Sequence, residues 1–255
     1  QAGDIVAIAG MTGLEVGDTL TCETVEDRKA FPKLHVDPPT ITVRFKVNDG
    51  PFAGQDGKWV TSRKIHERLM REIRSNVALK VNETETAEEF EVAGRGELHL
   101  SVLMETMRRE GYEFCVSRPK VILRDGPNGV EEPYEDVEVQ CDSDYSGAVI
   151  DKLGRRMGEM TGMEEASPGR SRMRFKIPAR GLIGLRPLLL TATGGEATLH
   201  RQFREYGTWR GKLPRRGTGV QVSMESGRVT AYAIEGLESR GQLFVKPGDE
   251  VYAGQ

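Results

Sequence analysis

The chain has 255 residues, 37% hydrophobic and 29% charged, with a formal net charge of −3, a composition that suits an ordinary globular protein with room for more than one core. No apolar run approaches the roughly 18 residues of a membrane-spanning helix, and Gln1-Ala2-Gly3-Asp4 lacks the basic-then-apolar order of an export signal, so a cytoplasmic protein without a membrane segment is expected. Cys22, Cys115 and Cys141 are odd in number and far apart, which predicts reduced thiols buried in or beside strands, with no disulfide framework and no metal role.

Residues 1 to about 36 read as β-structure: Ile5, Ala7 and Ala9 alternate, and Leu20 opens another short run, although this is too little for a closed barrel. Pro38-Pro39 marks a boundary, because the residue before a proline is pushed out of helical geometry. Ile41, Val43, Phe45 and Val47 then form one face of a strand, and a helix capped near Thr61 or Ser62 carries Ile65, Leu69, Ile73 and Val77. Leu79 and Val81 belong to a second strand, Phe90 and Val92 to a third. A helix from Gly96 buries Leu100, Leu103, Met104 and Met107 and ends at Gly111, whose missing Cβ suits a left-handed cap. Phe114 and Val116 start the closing strand. This order of strand, helix, strand, strand, helix, strand predicts a split βαβ, ferredoxin-like unit.

After a connector at residues 118–133 the order recurs. Val137, Val139 and Cys141 alternate in a strand, and Ser146 caps a helix carrying Val149, Ile150, Leu153, Met157 and Met160. Met173, Phe175 and Ile177 mark a later strand, Pro187 stands where a helix can begin, and Ala197, Leu199 and Phe203 suit the last strand. The second strand of this copy has no clear signal. From Thr208 the chain reads as β again through Val220, Val222 and Met224, a turn at Ser226-Gly227, and Val229, Ala231 and Ala233. The chain starts without methionine and stops in mid-pattern, as a portion of a longer protein would. The fold class expected is α+β: two ferredoxin-like units flanked by a partial barrel and a β-rich segment.

Charge is unevenly placed. Residues 168–216 hold twelve Lys or Arg and only Glu196 and Glu205 as acids, a local +10 that leaves −13 for the rest. Such a field reaches about one Debye length, roughly 8 Å, and like charges repel unless something neutralises them, so a polyanion is the natural partner. The candidates for RNA contact are Arg172, Arg174, Lys176, Arg180, Arg186, Arg201, Arg204, Arg210, Lys212, Arg215 and Arg216, with Trp209 offering a ring to unstacked bases. The bland alternative makes Arg172, Arg174 and Lys176 the wet face of a half-buried strand.

Other chemistry has little support. Gly54-Gln55-Asp56-Gly57-Lys58-Trp59 has the wrong glycine spacing for a phosphate loop and lacks the hydroxyl that would hold magnesium. Gly94-Arg95-Gly96 offers too few glycines for a dinucleotide fingerprint and reads as a tight turn into a helix. His35, His66, His99 and His200 show no metal-ligand spacing, and Glu131, Glu132, Glu135 and Asp136 read as solvated charge. Two other classes stay open: a phosphate-ester hydrolase using Arg95 or Arg180, and a small-molecule sensor built from paired ferredoxin-like units.

The runs Val60-Thr61-Ser62-Arg63, Asn76-Val77-Ala78-Leu79, Gly94 to Ser101, Met107-Arg108-Arg109-Glu110-Gly111, Val116 to Ile122, Glu132-Pro133-Tyr134-Glu135 and Arg180-Gly181-Leu182-Ile183-Gly184 together resemble the TypA/BipA ribosome-associated translational GTPases. The resemblance implies that residues 1–36 end a domain II-like barrel, 37–118 and 119–207 are domain III-like and V-like ferredoxin folds, and 208–255 begin the family's own C-terminal domain. It implies that GTP and Mg²⁺ belong to an N-terminal domain of the intact parent, with no catalytic residue, cofactor or metal in this portion. It implies a monomer whose partners are the ribosome (23S rRNA, ribosomal proteins and the acceptor end of an A-site tRNA). The function implied is large-subunit assembly and translation under cold or other stress. The chain departs from the family's usual pattern at Leu185-Arg186 and across residues 193–197.

Overall fold

The computed structural model describes residues 3–11, 13–14, 16–22, 29–32, 37–127, 129–213 and 219–255. The architecture is mixed, with antiparallel sheets and, among the described residues, no closed barrel. The chain divides into one unit of residues 1–49 and 53–213 and another of residues 50–52 and 214–255.

The first unit contains two sheets. The first is built from β1 (Ile41–Lys46), α1 (Ser62–Ser75), β2 (Lys80–Glu83), β3 (Glu89–Gly94), α2 (Glu97–Arg109) and β4 (Cys115–Val116), in the strand order β2-β3-β1-β4. Ile41, Val43 and Phe45 alternate with Thr42, Arg44 and Lys46, so the period-two pattern puts one face of β1 under the helices. There they meet Ile65 and Leu69 of α1 and Leu100, Leu103 and Met107 of α2. Helix α1 stops earlier than its apolar spacing predicts. Asn76 leaves helical geometry while its N–H bonds Glu72, the chain turns, and Val77 is exposed. Gly111 has a φ of +88° just beyond α2, as a left-handed cap requires.

A buried carboxylate shapes the loop between β1 and α1. Glu113, 9% exposed, accepts hydrogen bonds from Asn48 Nδ2 (2.7 Å) and from the amides of Gly54 (2.7 Å), Asp56 (3.1 Å) and Gly57 (2.9 Å). The Gly54 amide first, then Asn48 and the other amides, hold its carboxyl below the usual glutamate range. A depressed carboxylate adds stability above its unfolded pKa and loses it as pH falls through its folded pKa. Glu113→Ala is therefore expected to cost about 2 kcal/mol near neutrality, and urea titrations of both proteins should converge below the ordinary carboxylate range.

The connector of residues 118–133 is not plain coil. It holds β5 (Lys120–Val121), which pairs back onto β1, and β6 (Arg124–Gly126), which forms a hairpin with β7 (Gly129–Asp142). A 3₁₀ turn (Ser143–Tyr145) leads to α3 (Ser146–Gly154), β8 (Glu159–Ser167), β9 (Arg170–Pro178), the one-turn α4 (Ala179–Leu182), α5 (Leu185–Ala192) and β10 (Thr198–Thr208). The second sheet has the order β10-β7-β9-β8. Val137, Val139, Cys141, Met173, Phe175 and Ile177 face α3 and α5 and form a second core with Val149, Leu153, Leu185 and Leu189.

Met157 and Met160, expected on the helix, lie beyond it. The Gly158 N–H bonds the Leu153 carbonyl and the Met157 N–H bonds that of Gly154, which closes the helix with Met157 in the left-handed position at φ +66°. Met160 sits in β8, the strand without a sequence signal. β8 is an edge strand with almost every residue exposed and two register shifts against β9, so no hydrophobic alternation marks it.

Of the β-structure expected for residues 1–36, the described residues contain no strand, and Ile5, Val6 and Ile8 are exposed; the rest of that stretch lies outside the described residues. A strand needs a ladder partner, and alternation alone supplies none. Of the cysteines, Cys141 is buried on the core face of β7, whereas Cys22 and Cys115 are exposed, Cys115 because two-residue β4 places it on the open side. In the second unit, β11 (Gly227–Arg228) pairs with β12 (Glu250–Val251), and α6 (Ala231–Glu238) stands where a strand and turn were expected. Thr230 Oγ1 accepts from the Ala233 N–H, so an N-cap converts the ambiguous Val229, Ala231, Ala233 alternation into helix. No described helix is long and apolar enough to cross a membrane.

Candidate nucleic-acid interface

Alternation on β9 turns Arg172, Arg174 and Lys176 to the face opposite the core, and Arg204 of β10 joins them. Repulsion among these cations requires that they lack internal partners. The fold supplies them, because antiparallel pairing sets acids of β7 and β8 beside β9. Arg174 Nη2 reaches Glu164 at 2.7 Å and Arg172 Nη1 reaches the same carboxylate at 3.2 Å; Lys176 meets Glu205 at 2.7 Å and Arg204 meets Asp136 at 2.9 Å. Lys176 holds Glu205 below the ordinary carboxylate range by a hydrogen bond and its charge, and Gln140, with Arg172 and Arg174, does the same for Glu138. The open face is thus a lattice of alternating charges. Exposed pairs of this kind contribute only about 0–1 kcal/mol each, so a competing anion displaces the carboxylates at little cost.

At one end of this sheet lies a denser group. Arg180 of α4 donates from Nε and Nη2 to both oxygens of Glu132, which is fully buried, and Glu132 Oε1 also accepts from the Arg210 amide at 3.0 Å. The Arg180 guanidinium stands 5.6 Å from the Trp209 ring, while Lys176 and Arg210 lie 5.0 and 5.8 Å from that of Tyr134. The Tyr134 hydroxyl donates to the Thr208 carbonyl, and the Trp209 amide to that of Val130, which fixes the backbone of Trp209, a residue 40% exposed. Arg210 is ion-paired with Glu159.

The expected row is therefore split. Arg172, Arg174, Lys176 and Arg204 share the open face, and Arg180, Trp209 and Arg210 adjoin it. Arg201, opposite Val137 on β10, and Arg186 of α5 belong to the helix-bearing side. Among the described residues, Arg186 and Lys212 have no ion pair, while Arg215 and Arg216 lie outside them.

The two most informative acids were missed. Glu132 and Glu135, read as solvated, are 0% and 3% exposed. The signal for Glu135 was its place two, four and six residues before Val137, Val139 and Cys141, on the core face of the same strand. Burial pushes its carboxyl up, partly offset by Arg201. Gly94 and Gly96 do serve a tight entry to α2: a Cβ on Gly94 would meet Leu100 Cδ2 at 2.9 Å, and one on Gly96 would overlap the Arg201 guanidinium arriving from the second sheet. Glu97 Oε2 likewise accepts from the Gly184 amide at 3.0 Å, so the start of α2 is where the two sheets' layers meet. His66 and His99 are half-buried on helices; burial lowers the pKa of His99, whose Nε2 lies 2.8 Å from Asn76 Nδ2. No group of three or more His, Cys, Asp or Glu among the described residues is arranged to hold a metal ion.

The second sheet, with a lattice of paired charges on its open face and short helices on the other, is the class of an elongation-factor-G-like C-terminal portion: residues 129–217 match the family described as elongation factor G C-terminus. Residues 218–255 match the TypA/BipA C-terminal domain. Over all of its length the chain is 48% identical to the large ribosomal subunit assembly factor BipA of Synechocystis and 48% identical to that of Escherichia coli K12, covering 42% of each; it is 49% identical to the same factor of Haemophilus influenzae, covering 41%. The chain belongs to the TypA/BipA family and corresponds to its C-terminal part, spanning about two fifths of the length of these relatives.

Proposed function

We propose that this chain is the ribosome-docking portion of a translational GTPase that acts in assembly of the large ribosomal subunit. The observation that carries this reading is the 48% identity, over the whole chain, to relatives named as large ribosomal subunit assembly factors. On this reading both sheets are ferredoxin-like, residues 37–118 and 119–207 are domain III-like and V-like, residues 1–36 end a domain II-like segment, and residues 208–255 begin the family-specific domain. The strand orders β2-β3-β1-β4 and β10-β7-β9-β8 support it.

GTP hydrolysis and Mg²⁺ are assigned to another part of the intact protein. The glycine-containing loop weighed as a phosphate cradle has its Gly54, Asp56 and Gly57 amides already bound to Glu113, so these residues do not fit a nucleotide phosphate. Arg172, Arg174, Lys176, Arg204, Trp209, Arg210, Lys212, Arg215 and Arg216 form the RNA-facing set, with phosphates replacing Glu138, Glu164, Asp136 and Glu159 as partners. Arg180 positions Trp209 rather than meeting RNA by itself, and Arg186 and Arg201 contribute from the other side. Docking near the A site, contact with the acceptor end of a tRNA, a monomeric cytoplasmic state and a role in cold or stress complete the reading.

Co-sedimentation with 50S subunits over a salt series tests it. Six to ten phosphate contacts predict an affinity loss of about 10³-fold or more between low and moderate salt. Charge reversal at Arg210, Lys212, Arg215 and Arg216 together is expected to abolish pelleting. Binding that ignores both changes overturns the proposal.

A further inference from the structure

Between α2 of the first sheet and β7 and β10 of the second runs a cleft of about 520 Å³, lined by Arg95, Leu98, Val102, Glu135, Arg201 and Phe203 among others. It is distinct from the open face described above, because Glu135, Arg201 and Phe203 point to the helix-bearing side. Glu135 contributes a side chain that is only 4% exposed, and its Oε1 has no hydrogen-bond partner among the described residues. Its other oxygen lies 3.9 Å from Arg201 Nε, within ion-pair range but too far for a hydrogen bond. The Arg201 guanidinium makes no hydrogen bond among the described residues, and Gly96 makes room for it.

A buried acceptor left without a donor costs free energy, roughly 1–3 kcal/mol for the group; Oε1 is closed to solvent, so the oxygen a partner in the cleft can reach is Oε2, beside a guanidinium without a hydrogen bond. The missing partner must give an N–H to Glu135 and an acceptor to Arg201 from adjacent atoms of one planar group. Its body must suit Leu98, Val102 and the Phe203 ring, and anything attached to it must tolerate Arg95, which is exposed and has no ion pair among the described residues. A nucleobase turned out of its stack meets each demand: its Watson–Crick edge carries a donor beside an acceptor, its faces stack on rings and apolar side chains, and its phosphate is anionic. The volume suffices for one nucleotide.

We propose that this cleft receives a single unstacked RNA nucleotide, its base edge on Glu135 and Arg201, its face against Phe203 and its phosphate toward Arg95. The proposal rests on the RNA-docking reading but makes a separate claim, that one nucleotide is held between the layers rather than on the open face.

The test titrates the mononucleotides UMP and GMP, and in a separate arm the neutral dipeptide N-acetyl-Leu-Val-amide, into the full chain, following the backbone amide NMR signals of Gly96, His99, Gln202 and Phe203. Saturable shifts with a mononucleotide are expected, with at least a tenfold loss of affinity in Glu135→Leu, the factor that about 1.4 kcal/mol of lost pairing gives. Glu135→Leu removes a buried carboxyl held only by a loose ion pair with part-exposed Arg201, so its melting temperature should not fall, and lost binding then cannot be charged to unfolding. Arg201→Leu should give the same loss. Absence of shifts with either nucleotide, equal affinity in Glu135→Leu, or shifts with the dipeptide alone overturns the proposal. Co-sedimentation run in parallel separates the two readings: pelleting with 50S subunits without nucleotide shifts sinks the cleft and leaves the docking function standing, and the reverse pattern does the opposite.

Discussion

Arg180→Ala is expected to destabilise the protein by about 3–5 kcal/mol, because it strands a carboxylate that has no access to water. Glu132 is fully buried and receives both Nε and Nη2 of Arg180; without them only the Arg210 amide remains. Arg180→Lys should recover little, since a single ammonium cannot reproduce two parallel N–H donors. The double replacement Arg180→Met, Glu132→Met removes both charges and should lie near the parent or above it, which distinguishes a stranded charge from simple loss of packing. Urea unfolding followed by Trp209 fluorescence measures all three. A cost below about 1 kcal/mol for Arg180→Ala would place the pair in the class of ordinary surface ion pairs. The prediction also bears on function: loss of ribosome binding in an Arg180 variant would report damage to the platform under Trp209, which is why the charge reversals begin at Arg210.

Phe45→Ala and Phe175→Ala are each expected to cost about 3–5 kcal/mol, through lost transfer free energy and the cavity left behind. Phe45 is 0% and Phe175 2% exposed, and each is among the largest buried side chains of its cluster. The clusters beneath the two sheets share no residue, so the double variant should cost the sum of the singles to within about 0.5 kcal/mol. Trp59, 6.4 Å from Tyr112 in the first sheet's domain, and Trp209 at the end of the second offer separate fluorescence reports. A Trp59 transition that moves as far with Phe175→Ala as with Phe45→Ala would show that the two cores unfold together.

Much of the architecture was legible because burial is periodic. Ile41, Val43 and Phe45 announced a strand with one covered face, and Leu100, Leu103 and Met107 a helix with one covered stripe; both read correctly because a single neighbour layer decided their burial. Edge strand β8 was invisible for the converse reason, since nothing covers it. Helix α6 was misread because two alanines at i and i+2 suit either period until Thr230 caps the turn. The candidate site was legible as a set of residue types and illegible as a surface. A run of twelve cations predicts repulsion only if the acids are elsewhere, and Glu138 and Asp136, distant in sequence, and Glu164, just before the run, are adjacent across the sheet.

What the amino-acid order determined by itself is local: which segments become strands and helices, where glycines are obligatory, and that Arg, Lys and Trp gather near the end of β10. Tertiary structure alone decided which of those cations is already neutralised, that Glu132 and Glu135 are buried, and that Arg201 turns inward toward Gly96. The physical reason is that periodicity is a property of neighbours along the chain, whereas electrostatic pairing and desolvation depend on distances that exist only after remote strands have been laid side by side.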